Sequence, residues 1–295
     1  MKGFSICEEQ RCGFRVTEKR KKIWSTQLEL ASEVKRICEK YNIKYFIIWG
    51  TLLGAVRHEG FIPWDDDFDI AFLRKDYERF CKVAKEEICE PFFLQTDLTD
   101  SEFFLGYARI RDTRTTGFIV YNDSPTYHNG IFVDLYPLDV IPKNRLLREI
   151  KFLLRDMMRE ICLSYTKKPP SKSIGLYLRN YIPYRVMLDL FKHVCMLGDG
   201  LKDQKIGLAY HPELFRTYHF DQCEVKNLVE LPYENTSFAA PAGYRNILRE
   251  VYGKNYMRFP PKRKRGEWHA GQIIYEPDIS FKDFMRTRAE KNEAV

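Results

Sequence analysis

The sequence of 295 residues contains no apolar run near the roughly 18 residues that would mark a membrane-spanning helix, so no span is expected. It has no CxxC pair. Its eight cysteines, Cys7, Cys12, Cys38, Cys81, Cys89, Cys162, Cys195 and Cys223, stand apart and fall mostly in helix-like stretches. That spacing argues against a zinc site and a disulfide frame, and fits reduced thiols in a cytosolic setting. Internal repeats and low-complexity tracts are absent. The opening "MKGFSICEEQRCGF" carries early acids and no long apolar core, so it does not read as a signal peptide. The expected location is therefore cytoplasmic, with any membrane contact peripheral and at the inner face. Neither charge sign dominates: 48 Lys+Arg against 41 Asp+Glu leave +7. This suits anionic ligands or a membrane surface and gives little reason to expect nucleic acid.

What is abundant is aromatic side chain, 15% of the chain, within an ordinary globular balance of 44% apolar and 30% charged residues. Trp24, Leu28, Ala31, Val34, Ile37, Cys38 and Tyr41 recur at steps of three and four, predicting a helix over 18–41 with Thr17 as N-cap and Asn42 as stop. "KYFIIW" (44–49) predicts a strand, and Gly50-Thr51 turns the chain into a short helix through His58. "DFDIAF" (67–72) predicts a second strand, and 75–89 a helix. "FFLGYARIRDT", "TGFIVY" and "GIFVDLY" predict three further strands, with Asp139 in a turn. After Pro142 the pattern changes to a long basic amphipathic helix over 143–165, then helical sequence over 174–198 broken at Pro183. A last helix stops at Gly253 and is followed by the basic run "RFPPKRKRGEWH".

The chemistry concentrates in "GTLLGAVRHEGFIPWDDDFDIAF", where Asp65, Asp66, Asp67 and Asp69 crowd within five positions. Alternate strand residues share a face, so Asp67 and Asp69 point together and Asp65 follows if the strand begins early, while Asp66 has the wrong parity. Like charges this close need a counter-charge, and a hard divalent cation supplies one. An acidic pair alone is as well explained by a solvated loop or by helix caps. Here a strand, Gly-Thr and a helix precede it, and glycine with a helix N-terminus suits phosphate. Asp134, mid-strand between Val133 and Leu135, is a third carboxylate with no obvious structural partner.

That opening motif, together with "ARIRDTRTT", "GIFVDLYPLD" and "PAGYRNILREVYGKNYMRFPPKRKRGEWH", resembles the LicD family, related to fukutin and the fukutin-related protein. The resemblance covers about residues 25–140 and 230–270, and the middle helices match it in placement only. It implies a nucleotidyltransferase-fold α+β protein: a mixed β-sheet core, flanking helices and a mostly helical insertion. The expected division is an N-terminal extension (1–17), a catalytic core (18–142), the insertion (143–230) and a C-terminal return (231–295).

The resemblance further implies transfer of a phospho-alcohol, such as phosphocholine or ribitol phosphate, from a CDP-linked donor to a hydroxyl of a cell-surface glycan or lipid-linked glycan. Lipopolysaccharide and teichoic acid are acceptors of that kind, and CMP is released. The ion is expected to be Mg²⁺, with Mn²⁺ the alternative, held by Asp67 and Asp69 with Asp65 and Asp134 as further ligands; Asp134 is otherwise the base for the acceptor proton. Gly50, Thr51 and Arg57 are expected at donor phosphate or nucleotide, and Arg109 with Arg111 as an alternating pair on the diphosphate. Lys262, Arg263, Lys264 and His269 are assigned to substrate. Each basic group has a plainer reading as a solvated face or an ion pair, and His128, like His269, as a structural hydrogen-bonder. Two other functions share the motif: a nucleotidyltransferase that takes an NTP and releases pyrophosphate, and a non-catalytic module that keeps the fold. Oligomeric state is not readable.

Overall fold

The computed structural model describes residues 3–100, 103–120, 128–165, 174–202, 204–210, 218–261, 263, 265 and 271–293. Helix α1 (Glu18–Tyr41) runs as its periodicity demands, with Thr17 Oγ1 accepting from Arg20 N and Asn42 closing it in the left-handed conformation. Its apolar stripe, Trp24 to Cys38, is buried. The strand β3 (Phe46–Ile47), helix α2 (Trp49–His58), strand β4 (Asp69–Leu73) and helix α3 (Arg74–Glu87) follow in the expected order.

The central strand is β8 (Phe132–Ile141). On one side it pairs in parallel with β4, which continues antiparallel into β3. On its other side β6 (Ala108–Asp112) pairs with the first half of β8, and β9 (Lys205–Gly207) with the second half, both antiparallel. The outer positions are held by β5 (Phe92–Gln95) on β6 and by β10 (His219–Asp221) on β9. This seven-stranded mixed sheet with helices around it is the expected α+β, nucleotidyltransferase-like architecture.

Smaller ribbons dress it. β1 (Glu9–Arg11) pairs with β2 (Phe14–Val16), and β11 (Leu228–Tyr233) with β12 (Thr236–Pro241). The C-terminal β13 (Ile273–Glu276) pairs with β7 (Thr116–Ile119). The later helices are α4 (Arg145–Leu163), α5 (Ile174–Leu178), α6 (Tyr184–Cys195), α7 (Tyr244–Tyr252), closed by Gly253 at φ 81°, and α8 (Phe281–Glu293).

Two local expectations are corrected. Asp139 is not in a turn: it lies fully buried in β8, and both its carboxylate oxygens accept from Arg74 at 2.7 Å. The proline at 137 misleads because its missing N–H falls where β8 changes antiparallel partner from β6 to β9. The segment after α6 is not only helical, since β9 and β10 extend the central sheet.

Candidate functional site

The acidic loop is fixed from behind, through its backbone. Arg20 Nη1 and Trp24 Nε1 both donate to the carbonyl of Asp65, at 2.8 and 3.2 Å. Gln27 Nε2 donates to the carbonyl of Asp66 at 2.8 Å, and the Tyr275 hydroxyl reaches the same oxygen at 3.1 Å. These donors hold the main chain without consuming the carboxylates. The polar residues Arg20 and Gln27 on an otherwise apolar helix face, one heptad apart, were the signal for this clamp in the sequence.

Asp69 opens β4. Its N–H donates to Thr51 Oγ1 at 2.8 Å, and its carbonyl accepts from Ile48 N at 3.2 Å. Thr51 is buried, so its hydroxyl locks α2 to the start of β4, a role different from the expected direct cradle for phosphate. Gly50 faces the acids: a Cβ added there would stand 2.6 Å from Asp65 Oδ2 and 4.0 Å from Asp67 Oδ1. Glycine is needed here for the approach of the carboxylates. Asp65 and Asp67 are within hydrogen-bond reach of each other.

Asp134 is the register partner of Asp69 across the parallel β4–β8 ladder, and of Arg109 across β6–β8. Arg109 Nε donates to Asp134 Oδ1 at 2.6 Å, and the Tyr136 hydroxyl donates to Oδ2 at 3.0 Å. Asp134 therefore does have a structural partner. Tyr136, two residues on along the same strand face, could have been found by parity alone.

The electrostatics follow from this crowding. The carboxyl of Asp69 is raised well above the ordinary range, first by burial and then by the charges of Asp67, Asp134 and Asp65. That of Asp65 is raised by burial and by Asp67 and Asp66. Burial, with Asp134 and Asp69 next to it, also raises the Tyr136 phenol. The cluster thus favours taking up positive charge, as a proton or a cation.

The other expected residues are dispersed. Arg109 is buried at the site, over the Phe132 ring at 4.1 Å and against Tyr107. Arg111 does not join it at a diphosphate: it is fully buried and donates to Gln95 Oε1 and to the carbonyls of Gly117 and Gly130. Arg57 ties down the C-terminal segment through the Tyr256 carbonyl at 2.9 Å and lies over Phe259. His128 stacks on Phe93 at 4.8 Å, and burial lowers it to about 4. Asp66 is buried and Arg263 is exposed. Lys262, Lys264 and His269 lie outside the described residues.

No sequence signal marks Trp49, whose φ of +46° is unusual for a side chain this bulky. It packs edge-on against Tyr136 at 4.7 Å, and its indole N–H is buried without a hydrogen-bond acceptor among the described residues.

Could the acids hold a divalent ion? The donors are all carboxylate oxygens, crowded closely enough to raise one another, and Gly50 leaves the space in which Asp65 and Asp67 meet. Among the described residues no group of three or more His, Cys, Asp or Glu side chains is placed to hold a metal ion by itself. That combination fits Mg²⁺, which commonly keeps one or two carboxylates and completes its shell with water and substrate phosphate.

Residues 42–168 match the family model described as LicD/FKTN/FKRP, nucleotidyltransferase domain. The lipopolysaccharide cholinephosphotransferase LicD of Haemophilus influenzae is 28% identical over 255 residues, covering 79% of this chain and 89% of that protein. An uncharacterized protein of Rickettsia typhi is 32% identical over 158 residues, half of this chain and 45% of its own length. The human ribitol 5-phosphate transferase FKRP is 26% identical over 129 residues, 42% of this chain and 22% of its own.

Proposed function

We propose, for a chain that carries a LicD-family nucleotidyltransferase domain over residues 42–168, that it transfers a phospho-alcohol from a CDP-linked donor to a hydroxyl of a glycan. One observation carries the reading: Asp65 and Asp67 meet over Gly50, and Asp69, close enough for their charges to raise its carboxyl, is in register with Asp134 on the neighbouring strand. The relatives named as transferring cholinephosphate and ribitol 5-phosphate support the reaction class.

Asp67 and Asp69, with Asp65, would hold Mg²⁺, and the ion would offset charge on the donor diphosphate. The buried Trp49 N–H is available to a donor oxygen. Asp134 takes the acceptor proton at Oδ2, which meets the neutral Tyr136 hydroxyl, whereas Oδ1 is charge-paired with Arg109. The acceptor oxygen then bonds to the distal phosphorus, the bond from that phosphorus to the bridging oxygen breaks, and CMP leaves with that oxygen. Arg109 has its charge matched by Asp134 and acts by positioning it.

The test is a donor screen. Protein, Mg²⁺ and a panel of CDP-alcohols are incubated with a glycan extract, and CMP is measured. CMP release that needs both the extract and Asp67 supports the reading. Pyrophosphate released from an NTP would favour the nucleotidyltransferase alternative, and no turnover with any donor the binding-module alternative.

A further inference from the structure

Helix α4 carries apolar residues on both sides. The side it gives to the protein holds Phe152, Ile161 and Cys162 together with Lys151 and Arg155, which are 2% and 1% exposed. Lys151 Nζ donates to the carbonyls of Val140 and Leu197, at 2.6 and 2.8 Å. Arg155 Nη1 donates to the carbonyl of Ala209 at 3.1 Å. The side it gives to solvent carries Leu146, Ile150, Leu153 and Met157, with Leu146 at 69% and Leu153 at 71% exposure. Those four recur at steps of four, three and four, so they form one stripe. An amphipathic helix of a globular protein leaves its outer side polar, and an exposed apolar stripe of this extent marks an interaction face.

The neighbouring helices add to it. α5 and the turn after it expose Ile174, Tyr177 and Tyr181, the two tyrosine rings tilted at 46° with centroids 5.1 Å apart, and α6 exposes Val186 and Leu190. Charge says what covers the face. Residues 143–202 hold 13 Lys+Arg against 5 Asp+Glu, whereas the whole chain has 48 against 41. The segment therefore carries the entire positive surplus of the protein. Arg145, Arg179 and Arg185 are all exposed beside the apolar residues.

Beside the first turns of α4, a cavity of about 410 Å³ is lined by Lys143, Arg148, Lys205 and His219, with Glu149 as the acid among them. Leucine and isoleucine between exposed arginines, with tyrosines at the edge, is the composition of a surface that lies in a lipid headgroup region. A protein partner would not require the cationic surplus, which an anionic leaflet attracts.

We propose that the outer face of α4, with α5 and α6, docks this protein on an anionic bilayer. The proposal does not depend on the transferase reading. From sequence, the side of this helix with Leu147, Leu154, Met158 and Ile161, and Lys151, Arg155 and Arg159 around it, packs on the core or docks on a bilayer; the structure buries Ile161, Lys151 and Arg155 against the core, leaves Leu147 exposed, and places the free stripe beside that side.

The full chain should float with vesicles of phosphatidylcholine and phosphatidylglycerol at low salt, and less at high salt. It should stay behind with phosphatidylcholine alone. Leu146→Glu/Leu153→Glu alters only exposed positions, so circular dichroism should be unchanged while vesicle partition falls about tenfold or more. Arg145→Glu/Arg185→Glu should weaken binding to anionic vesicles in particular. Wild-type protein that does not float, or a leucine double variant that floats as well as wild type, overturns the proposal. So does a dimer in light scattering that the leucine double variant abolishes, which would assign the face to a second copy.

Discussion

Asp69 on β4 and Asp134 on β8 are register partners in a parallel ladder, so two carboxylates 65 positions apart in sequence stand side by side at one end of the sheet. Backbone hydrogen bonds fix this relationship, and either side chain can be changed without moving the strands.

Asp67→Asn and Asp69→Asn should therefore keep the fold and lose transfer. Circular dichroism should match wild type, while Mg²⁺-dependent donor binding and CMP release fall together. Near-normal turnover in either variant would remove it from the ligand set.

Asp134→Asn separates two roles. As base, the residue is needed only for proton transfer, so calorimetry should find donor and Mg²⁺ affinity retained while turnover falls about 10²- to 10⁴-fold. A loss of donor affinity equal to that of Asp67→Asn would make Asp134 a ligand. The variant should also be less stable by about 3–5 kcal/mol, because it takes the counter-charge from the buried Arg109.

Gly50→Ala sets helix propensity against the site. Alanine in the first turn of α2 should be neutral or stabilising by up to about 1 kcal/mol. Its Cβ would meet Asp65 Oδ2 at 2.6 Å and push that carboxylate aside. Displacements of this order can cost up to about 10²-fold in rate. The expected result is a melting temperature no lower than wild type with strongly reduced transfer; unchanged activity would mean that Asp65 is dispensable.

Asp139→Asn is the structural control. It leaves Arg74 buried and deprived of its bidentate partner, so unfolding in urea should show a loss of about 3–5 kcal/mol. Turnover per folded molecule should be unchanged, since this pair touches none of the acids over Gly50.

Acid lability should come partly from two histidines. Burial lowers both His58 and His128 from 6.5 to about 4. Between those values the unfolded chain binds a proton that the folded chain refuses, so stability falls as pH drops through that window. The slope is up to about 1.4 kcal/mol per pH unit for each histidine. Urea titrations of His128→Gln should show a shallower acid limb than wild type.

The sequence by itself determined most elements and the acidic cluster. The stripe from Trp24 to Cys38, the caps Thr17 and Asn42, and the stop at Gly253 depend on local periodicity and backbone preference, and α1 and α7 end where those residues say. The spacing of Asp65, Asp67 and Asp69 and the apolar flanks of Asp134 marked the site because charge in such surroundings needs compensation.

Tertiary structure decided what each group faces. Arg109 and Arg111 share a strand face by parity, yet one meets Asp134 and the other meets Gln95 and two carbonyls, because β5, β7 and β8 arrive there from elsewhere in the chain. Thr51 became a lock for Asp69 once α2 and β4 were adjacent. The same holds for α4. Its amphipathic pattern was plain, but which side is covered depended on the rest of the fold: carbonyls of Val140, Leu197 and Ala209 accept from Lys151 and Arg155 beside the buried Phe152 and Ile161, and leave Leu146 and Leu153 outside.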